Sequence, residues 1–235
     1  VNSIYDFIIR PVDKRYNNTK TVNNKKLILN TSIENFKAIS TEAIVVAIPL
    51  AYNQPVKVGD KVIIHHNVFR RWYDMKGKEK NSRSYFKEDL YFCSIDQIYL
   101  YKQNNWKPFG DRCFVIPTKN KDTLSNQKTQ KQEGIVKYCN KELNDLGIFQ
   151  NDLISFKPER EFEFVIDNEL LYCMKSKDIV VKHERKGNEE KYNPSWTTSS
   201  EGINKSSEGA DCRHRGGCNC GPTQERSCHQ ETSYI

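Results

Sequence analysis

The strongest constraint on this chain is that its strand-like segments come twice, in the same order. Cys113-Phe114-Val115-Ile116-Pro117 echoes Phe7-Ile8-Ile9-Arg10-Pro11. Gly134-Ile135-Val136-Lys137-Tyr138 echoes the run Ala43 to Ala47, and Asn151-Asp152-Leu153-Ile154-Ser155-Phe156 echoes Gly59-Asp60-Lys61-Val62-Ile63-Ile64. Leu170-Leu171-Tyr172-Cys173 and Asp178-Ile179-Val180-Val181 then echo a closing pair, Leu90 to Cys93 and Ile98 to Tyr101. Four matched elements in one order point to two copies of one domain. Asn151 standing where the first copy has Gly59 fits this, because Asn best tolerates the left-handed backbone of a tight turn among residues other than Gly.

The runs are short, rich in β-branched and aromatic residues, and bounded by Gly, Pro, Asn or Asp, which is how strands read. Only Ser32 to Ser40, through Ile33, Phe36 and Ile39, hints at a helix. The expected class is therefore all-β. The first domain is expected over residues 1–102 and the second over 109–184, joined by a polar linker at 103–108. Residues 185–235 are rich in Ser, Gly, Asn and Glu. Such a tail buries too little apolar surface to offset its chain entropy, so it is expected to be disordered.

With 37% hydrophobic and 29% charged residues and a mean hydropathy of −0.78, the chain is polar throughout. No apolar run approaches the ~20 residues of a membrane-spanning helix, and from Val1-Asn2-Ser3, with no basic flank before a long apolar stretch, no secretory signal is expected. A net charge of +7 raises the question of a nucleic-acid partner. The bases are scattered and interrupted by acids, so a solvated surface is expected instead. Cys93, Cys113, Cys139 and Cys173 each sit inside an apolar run, where small thiols pack as core residues. Free thiols in a core suit a reducing cytosol, and a cytoplasmic location is expected.

Several of these segments resemble the 10-kDa co-chaperonin (GroES-like) family. Asp111-Arg112-Cys113-Phe114-Val115 is similar to the family's opening D-R-V-x-V strand, and Tyr5-Asp6-Phe7-Ile8-Ile9-Arg10-Pro11 to its I-R-P variant. Gly134-Ile135-Val136 matches its G-x-V strand, and Val56-Lys57-Val58-Gly59-Asp60-Lys61-Val62 its V-K-x-G-D-x-V turn. Leu171-Tyr172 and Asp178-Ile179-Val180 resemble its closing pair, so the likeness covers residues 1–184 and excludes the tail. It implies two tandem irregular small β-barrels that assemble into a ring-like homo-oligomer and cap a chaperonin ring. In that family a long loop after the opening strand carries an apolar tripeptide that docks on the chaperonin. Here residues 13–41 carry Leu27-Ile28-Leu29 between Lys25-Lys26 and Asn30-Thr31-Ser32. Three apolar residues in a polar loop are costly to expose unless something binds them. The alternative is an ordinary short strand packed on its own barrel. The second loop, 118–132, carries only Leu124, and the connection Asn140 to Leu146 is too brief for the family's roof hairpin.

Other candidates have bland alternatives. An extra stretch between Ile64 and Leu90 mixes Arg70, Arg71, Lys76, Lys78, Lys80 and Arg83 with Trp72, Tyr73 and Tyr85. Bases beside aromatics can track phosphates and stack on nucleobases, but an exposed hairpin explains them as well. His65 and His66 end a strand, so they should point to opposite faces and serve structure. In the tail, Cys212, Cys218, Cys220 and Cys228 could supply four soft ligands to Zn²⁺. Their spacing lacks the paired C-x2-C knuckles of strong zinc sites. No cofactor is otherwise expected. No nucleophile elbow, Walker loop, H-E-x-x-H or dinucleotide fingerprint occurs, so the chain reads as a non-enzyme. The functions left are a co-chaperonin and a structural or assembly protein, such as a viral coat or decoration component located in host cytoplasm or virion, with a basic nucleic-acid-associated protein as a third, weaker reading.

Overall fold

The computed structural model describes residues 3–17, 19–22, 25–28, 35–120, 128–185, 187 and 189–197. These residues are all-β in class, with antiparallel sheets throughout. The opening strand β1 (Phe7–Pro11) is hydrogen-bonded to β4 (Glu42–Ala47) on one side and β9 (Leu90–Cys93) on the other. Beyond β4 come β5 (Lys61–Ile64) and then β10 (Ile98–Lys102), and beyond β9 comes the short β8 (Tyr85–Lys87). The second sheet repeats this plan. β12 (Arg112–Lys119) lies between β13 (Thr129–Tyr138) and β16 (Glu169–Lys175). Beyond these lie β14 (Leu153–Phe156) with β17 (Ile179–His183) on one side, and β15 (Phe162–Ile166) on the other.

The repeat extends to register. Lys61, Val62, Ile63 and Ile64 face Lys102, Tyr101, Leu100 and Ile98, with one irregularity before Ile98. Leu153, Ile154, Ser155 and Phe156 face His183, Lys182, Val181 and Ile179 with the same irregularity. The opening strands break register at matched positions too, Ile8/Ile9 against β4 and Phe114/Val115 against β13. The turn before β5 is likewise copied. Gly59 N–H donates to Val45 O and Asp60 Oδ2 accepts from Lys57 N–H; Asn151 N–H donates to Val136 O and Asp152 Oδ2 accepts from Phe149 N–H. Gly59 has φ +91° and Asn151 φ +73°, as the substitution of one for the other suggested. The closing pair corrects the alignment read from sequence by one residue. Tyr91 faces Ile9 as Tyr172 faces Val115, so Leu171 to Met174 matches Leu90 to Cys93, and Ile179 matches Ile98. A slip of one would have moved every side chain to the wrong face.

Both sheets are open among the described residues, each running from one edge strand to another. No closed barrel is present among the described residues. The linker expectation changes. β11 (Trp106–Pro108) pairs with β10 and so extends the first sheet, and Gln103 donates to Pro55 O and Asp60 Oδ2. Part of the expected tail is ordered: Lys119 N–H donates to Glu190 O and Tyr192 N–H to Pro117 O, laying 190–192 along β12. Asn193 Oδ1 then accepts from Leu170 N–H, and Thr197 is buried. One short helix shows no apolar period in the sequence. Asn140 caps α1 (Lys141–Asp145) by accepting from Leu143 N–H, and Leu143 anchors the helix in the core.

Each sheet has a core on one face. Phe7, Ile9, Val45, Val62, Ile64, Tyr91 and Cys93 share the first; their register equivalents Cys113, Val115, Val136, Ile154, Phe156, Tyr172 and Met174 share the second. A third cluster joins the units: Ile63, Tyr99, Leu100 and Trp106 from the first pack on Phe114, Ile116, Phe164, Ile166, Leu171 and Cys173 from the second. Tyr99 meets Phe164 edge-on at 5.2 Å, and Trp106 Nε1 donates to Asp167 Oδ2 at 2.8 Å. Truncating Leu100 in this shared cluster (Leu100→Ala) should cost about 2–5 kcal/mol. Because the lost contacts belong to both units, thermal unfolding of the variant should separate into two transitions where the parent shows one. A single transition at reduced Tm would show that the cluster does not couple the units.

Candidate functional site

The first unit's loop is where the two copies differ most. In the second unit β12 and β13 stay paired out to Lys119 and Thr129, leaving residues 120–128 between them. In the first, pairing of β1 with β4 ends at Pro11 and Ala43. The loop beyond is zipped at its root: Asn17 N–H donates to Ala38 O, Ser40 N–H donates to Arg15 O, and Tyr16 bridges Ile39. Tyr16, Ala38 and Ile39 are buried in the first core. Past the root the chain forms a hairpin of β2 (Thr19–Val22) and β3 (Lys25–Ile28), registered Thr19 to Ile28 and Val22 to Lys25. Among the described residues this hairpin pairs with no other strand. Of the candidate anchors, Leu27 and Ile28 lie in β3, and Leu29 falls outside the described residues, as does Leu124.

The insertion is the second departure. Residues 65–84 connect β5 to β8, where residues 157–161 suffice between β14 and β15. It forms a hairpin of its own, β6 (Arg71–Tyr73) with β7 (Glu79–Asn81). Trp72, Tyr73 and Met75 are exposed on it, whereas Tyr85 in β8 lies edge-on to Tyr91 at 5.6 Å. Arg71 pairs with Glu79 at 2.8 Å, and Asp74 Oδ1 accepts from the N–H groups of Lys76 and Lys78 to shape the tip.

His65 and His66 do not point to opposite faces. The strand ends at Ile64, and His66 opens a 3-10 turn (His66–Val68), so strand alternation no longer applies. The two rings stack at 4.4 Å, and His66 also lies 5.7 Å from Phe36. His65 Nδ1 accepts from Asn67 N–H and thereby caps the turn. Burial lowers both pKa values, with Arg112 adding to the effect on His65 and His65 and Arg70 to that on His66, which falls to about 4. Both rings are thus neutral at pH 7.

Among the described residues no group of three or more His, Cys, Asp or Glu side chains is placed to hold a metal. Cys212, Cys218, Cys220 and Cys228 lie outside those residues. Cys93, Cys113, Cys139 and Cys173 are free thiols, and burial pushes Cys139 up to about 11 and Cys173 up to about 12. The thiolate, not the thiol, is the nucleophile, so these groups serve packing. No described helix is long and apolar enough to cross a membrane. No protein-family model matches the chain, and no curated protein matches its sequence.

The His66 shift has a definite pH signature. A folded-state pKa below the unfolded value means the unfolded chain binds more protons between them. The stabilisation is complete above about 6.5, declines as pH falls toward about 4, and levels off below that. In His66→Gln, the fall in Tm between pH 6.5 and pH 4 should be smaller than in the parent, carboxylate effects being common to both proteins. Parallel Tm profiles would contradict the assignment.

Proposed function

We propose that the chain is a non-catalytic co-chaperonin, built from two GroES-like units, that binds a chaperonin ring in the cytoplasm through its first loop. The observation that carries this reading is the β2–β3 hairpin. It follows the opening strand, where the family's docking loop lies, bears Leu27 and Ile28, and pairs with no other strand among the described residues. A lone two-stranded hairpin is marginally stable in water, and a partner surface would supply the missing third layer. Any ATP would be hydrolysed by that partner.

Self-association into a ring belongs to the same reading. β10 has its outer edge covered by β11, whereas the matching strand β17 stands at a sheet edge with Val180 and Val181 exposed. Such an edge pairs readily with another chain. The alternative is a structural or assembly protein that keeps the two units without chaperonin binding. One observation favours it: the second loop is cut short by continued β12–β13 pairing, so only one of the two loops keeps the long form.

Co-purification with a chaperonin ring, with and without nucleotide, separates the two. Burying one large aliphatic side chain is worth ~1.5–3 kcal/mol, so Ile28→Ser should weaken binding by about tenfold or more while far-UV circular dichroism and Tm hold. Leu124→Ser should change binding far less. Undiminished capture of a folded Ile28→Ser protein would remove the tripeptide as anchor. Unfolding of that variant would mark Ile28 as core and favour the assembly role.

A further inference from the structure

The insertion and the loop are not independent features. Arg15 lies at the loop's root, two residues before Asn17, and its guanidinium grips both ends of the β6–β7 hairpin within the insertion. Nε and Nη2 donate to the carbonyl oxygens of Phe69 and Arg70 just before β6, and Nη1 donates to Asn81 Oδ1 at 2.7 Å at the end of β7. Beside it, Tyr16 Oη accepts from Arg71 N–H at 2.7 Å, and the Arg71 guanidinium lies 4.5 Å from the Tyr16 ring centroid. Ser82 Oγ closes the base of the insertion by donating to Val68 O. The loop root is itself zipped by the Asn17–Ala38 and Ser40–Arg15 backbone bonds. β2 begins at Thr19, two residues after Asn17.

We infer that the 65–84 insertion is a positioning device for the β2–β3 hairpin, acting through Arg15 and Tyr16. Three fixed donors on one planar group define an orientation, not merely a contact. The second unit serves as an internal comparison. It has only 157–161 in place of the insertion, and its loop is rooted by strand pairing out to Lys119 and Thr129 instead. Where the ladder stops early, at Pro11, a side-chain clasp takes over the task of holding the root. A hairpin held in one orientation loses less conformational freedom when it docks, which favours affinity without adding a contact.

The clasp is read directly from the free protein, whereas its effect on docking rests on the co-chaperonin reading above. Two measurements therefore go together. Amide hydrogen exchange is followed at Asn17 and Ser40, with Val136 and Asn151 in the second unit as references, in the parent, Arg15→Ala, Arg15→Lys and Tyr16→Phe. Chaperonin-ring affinity is measured in parallel. Arg15→Lys keeps the charge and loses the fork. Both Arg15 variants should accelerate exchange at Asn17 and Ser40 by about tenfold or more while the references hold, and Tyr16→Phe should do so less. Affinity should fall severalfold in the order of exchange, with Ile28→Ser remaining the larger loss. Unchanged exchange at the loop root, or full rescue by Arg15→Lys, would overturn the clasp. Acceleration equal in both units would reduce Arg15 to a general stability residue and also overturn it. Faster exchange at the root with unchanged affinity, in a protein that still needs Ile28 to bind, would overturn the positioning role. If the parent binds no chaperonin, the co-chaperonin reading fails, and exchange alone decides the clasp.

Discussion

The architecture depends on burying the second face of β12. A strand with one face in its own core can leave the other polar, but Phe114 and Ile116 make this one apolar on both sides. The first unit covers that second face with Ile63, Tyr99, Leu100 and Trp106. Register places Ile8 and Arg10 at the corresponding positions of β1, and Lys87 opposite Leu90 where Phe164 stands opposite Leu171. Ile8 stays buried, whereas Arg10 and Lys87 are exposed. The donor side changes to match, with exposed Val180 and Val181 in β17 where β10 has buried Tyr99 and Leu100. Two copies of one plan have thus diverged where one packs on the other. Exposed Arg10 and Lys87 where the second unit buries Ile116 and Phe164 follow from the cost of leaving large apolar groups in water.

Much of this was legible because it is local. Strand identity, the repeat, the Gly59/Asn151 equivalence and the buried thiols are all written in runs of a few residues. The misreadings involved information held by distant partners. Trp106 looked like part of a polar linker because its neighbours are polar, yet it is buried in the cluster shared with the second unit and donates to Asp167. Residues 190–192 have no apolar pattern and are ordered by backbone bonds to β12. The closing strands were aligned one residue off because Leu170 and Leu171 are the same residue type, and only the partner strand fixes which one faces the core. The helix 141–145 is too short for a period to declare itself, so its signal was only the cap at Asn140.

Polar bookkeeping singles out the neighbourhood of the clasp. The buried side-chain polar atoms without a hydrogen-bond partner among the described residues are Arg70 Nε, Arg71 Nε and Tyr91 Oη. Arg15 connects these residues, bonding to Arg70 O and lying 5.2 Å from the Tyr91 ring centroid. Burial, with a contribution from nearby Arg71, depresses the Arg15 pKa, though tyrosine and Glu79 oppose the effect. An unsatisfied buried donor costs about 1–3 kcal/mol. Such costs are usually found where a constraint other than stability operates. Here that constraint is holding a basic insertion against a basic loop root with Glu79 as the ion partner of Arg71.

The two loops show how one plan yields two different projections. In both units the opening strand reaches a proline, Pro11 or Pro117, paired opposite Ala43 or Gly134. A Cβ on Gly134 would lie 2.9 Å from Val115 Cγ2, so the second unit closes more tightly at this point than a side chain would permit. Past Pro117 the chain finds partners on both sides: β13 continues on one, and Glu190 to Tyr192 run along the other. Every backbone group satisfied there favours extending the strand, and the loop is short as a result. Past Pro11 a single backbone bond, from Val12 N–H to Glu42 O, precedes the zipped root. With no continuing ladder to absorb them, residues beyond the root satisfy their backbone groups by pairing with each other as β2 and β3. Strand pairing thus sets where each loop begins, and in the first unit the Arg15 clasp takes the place of that pairing.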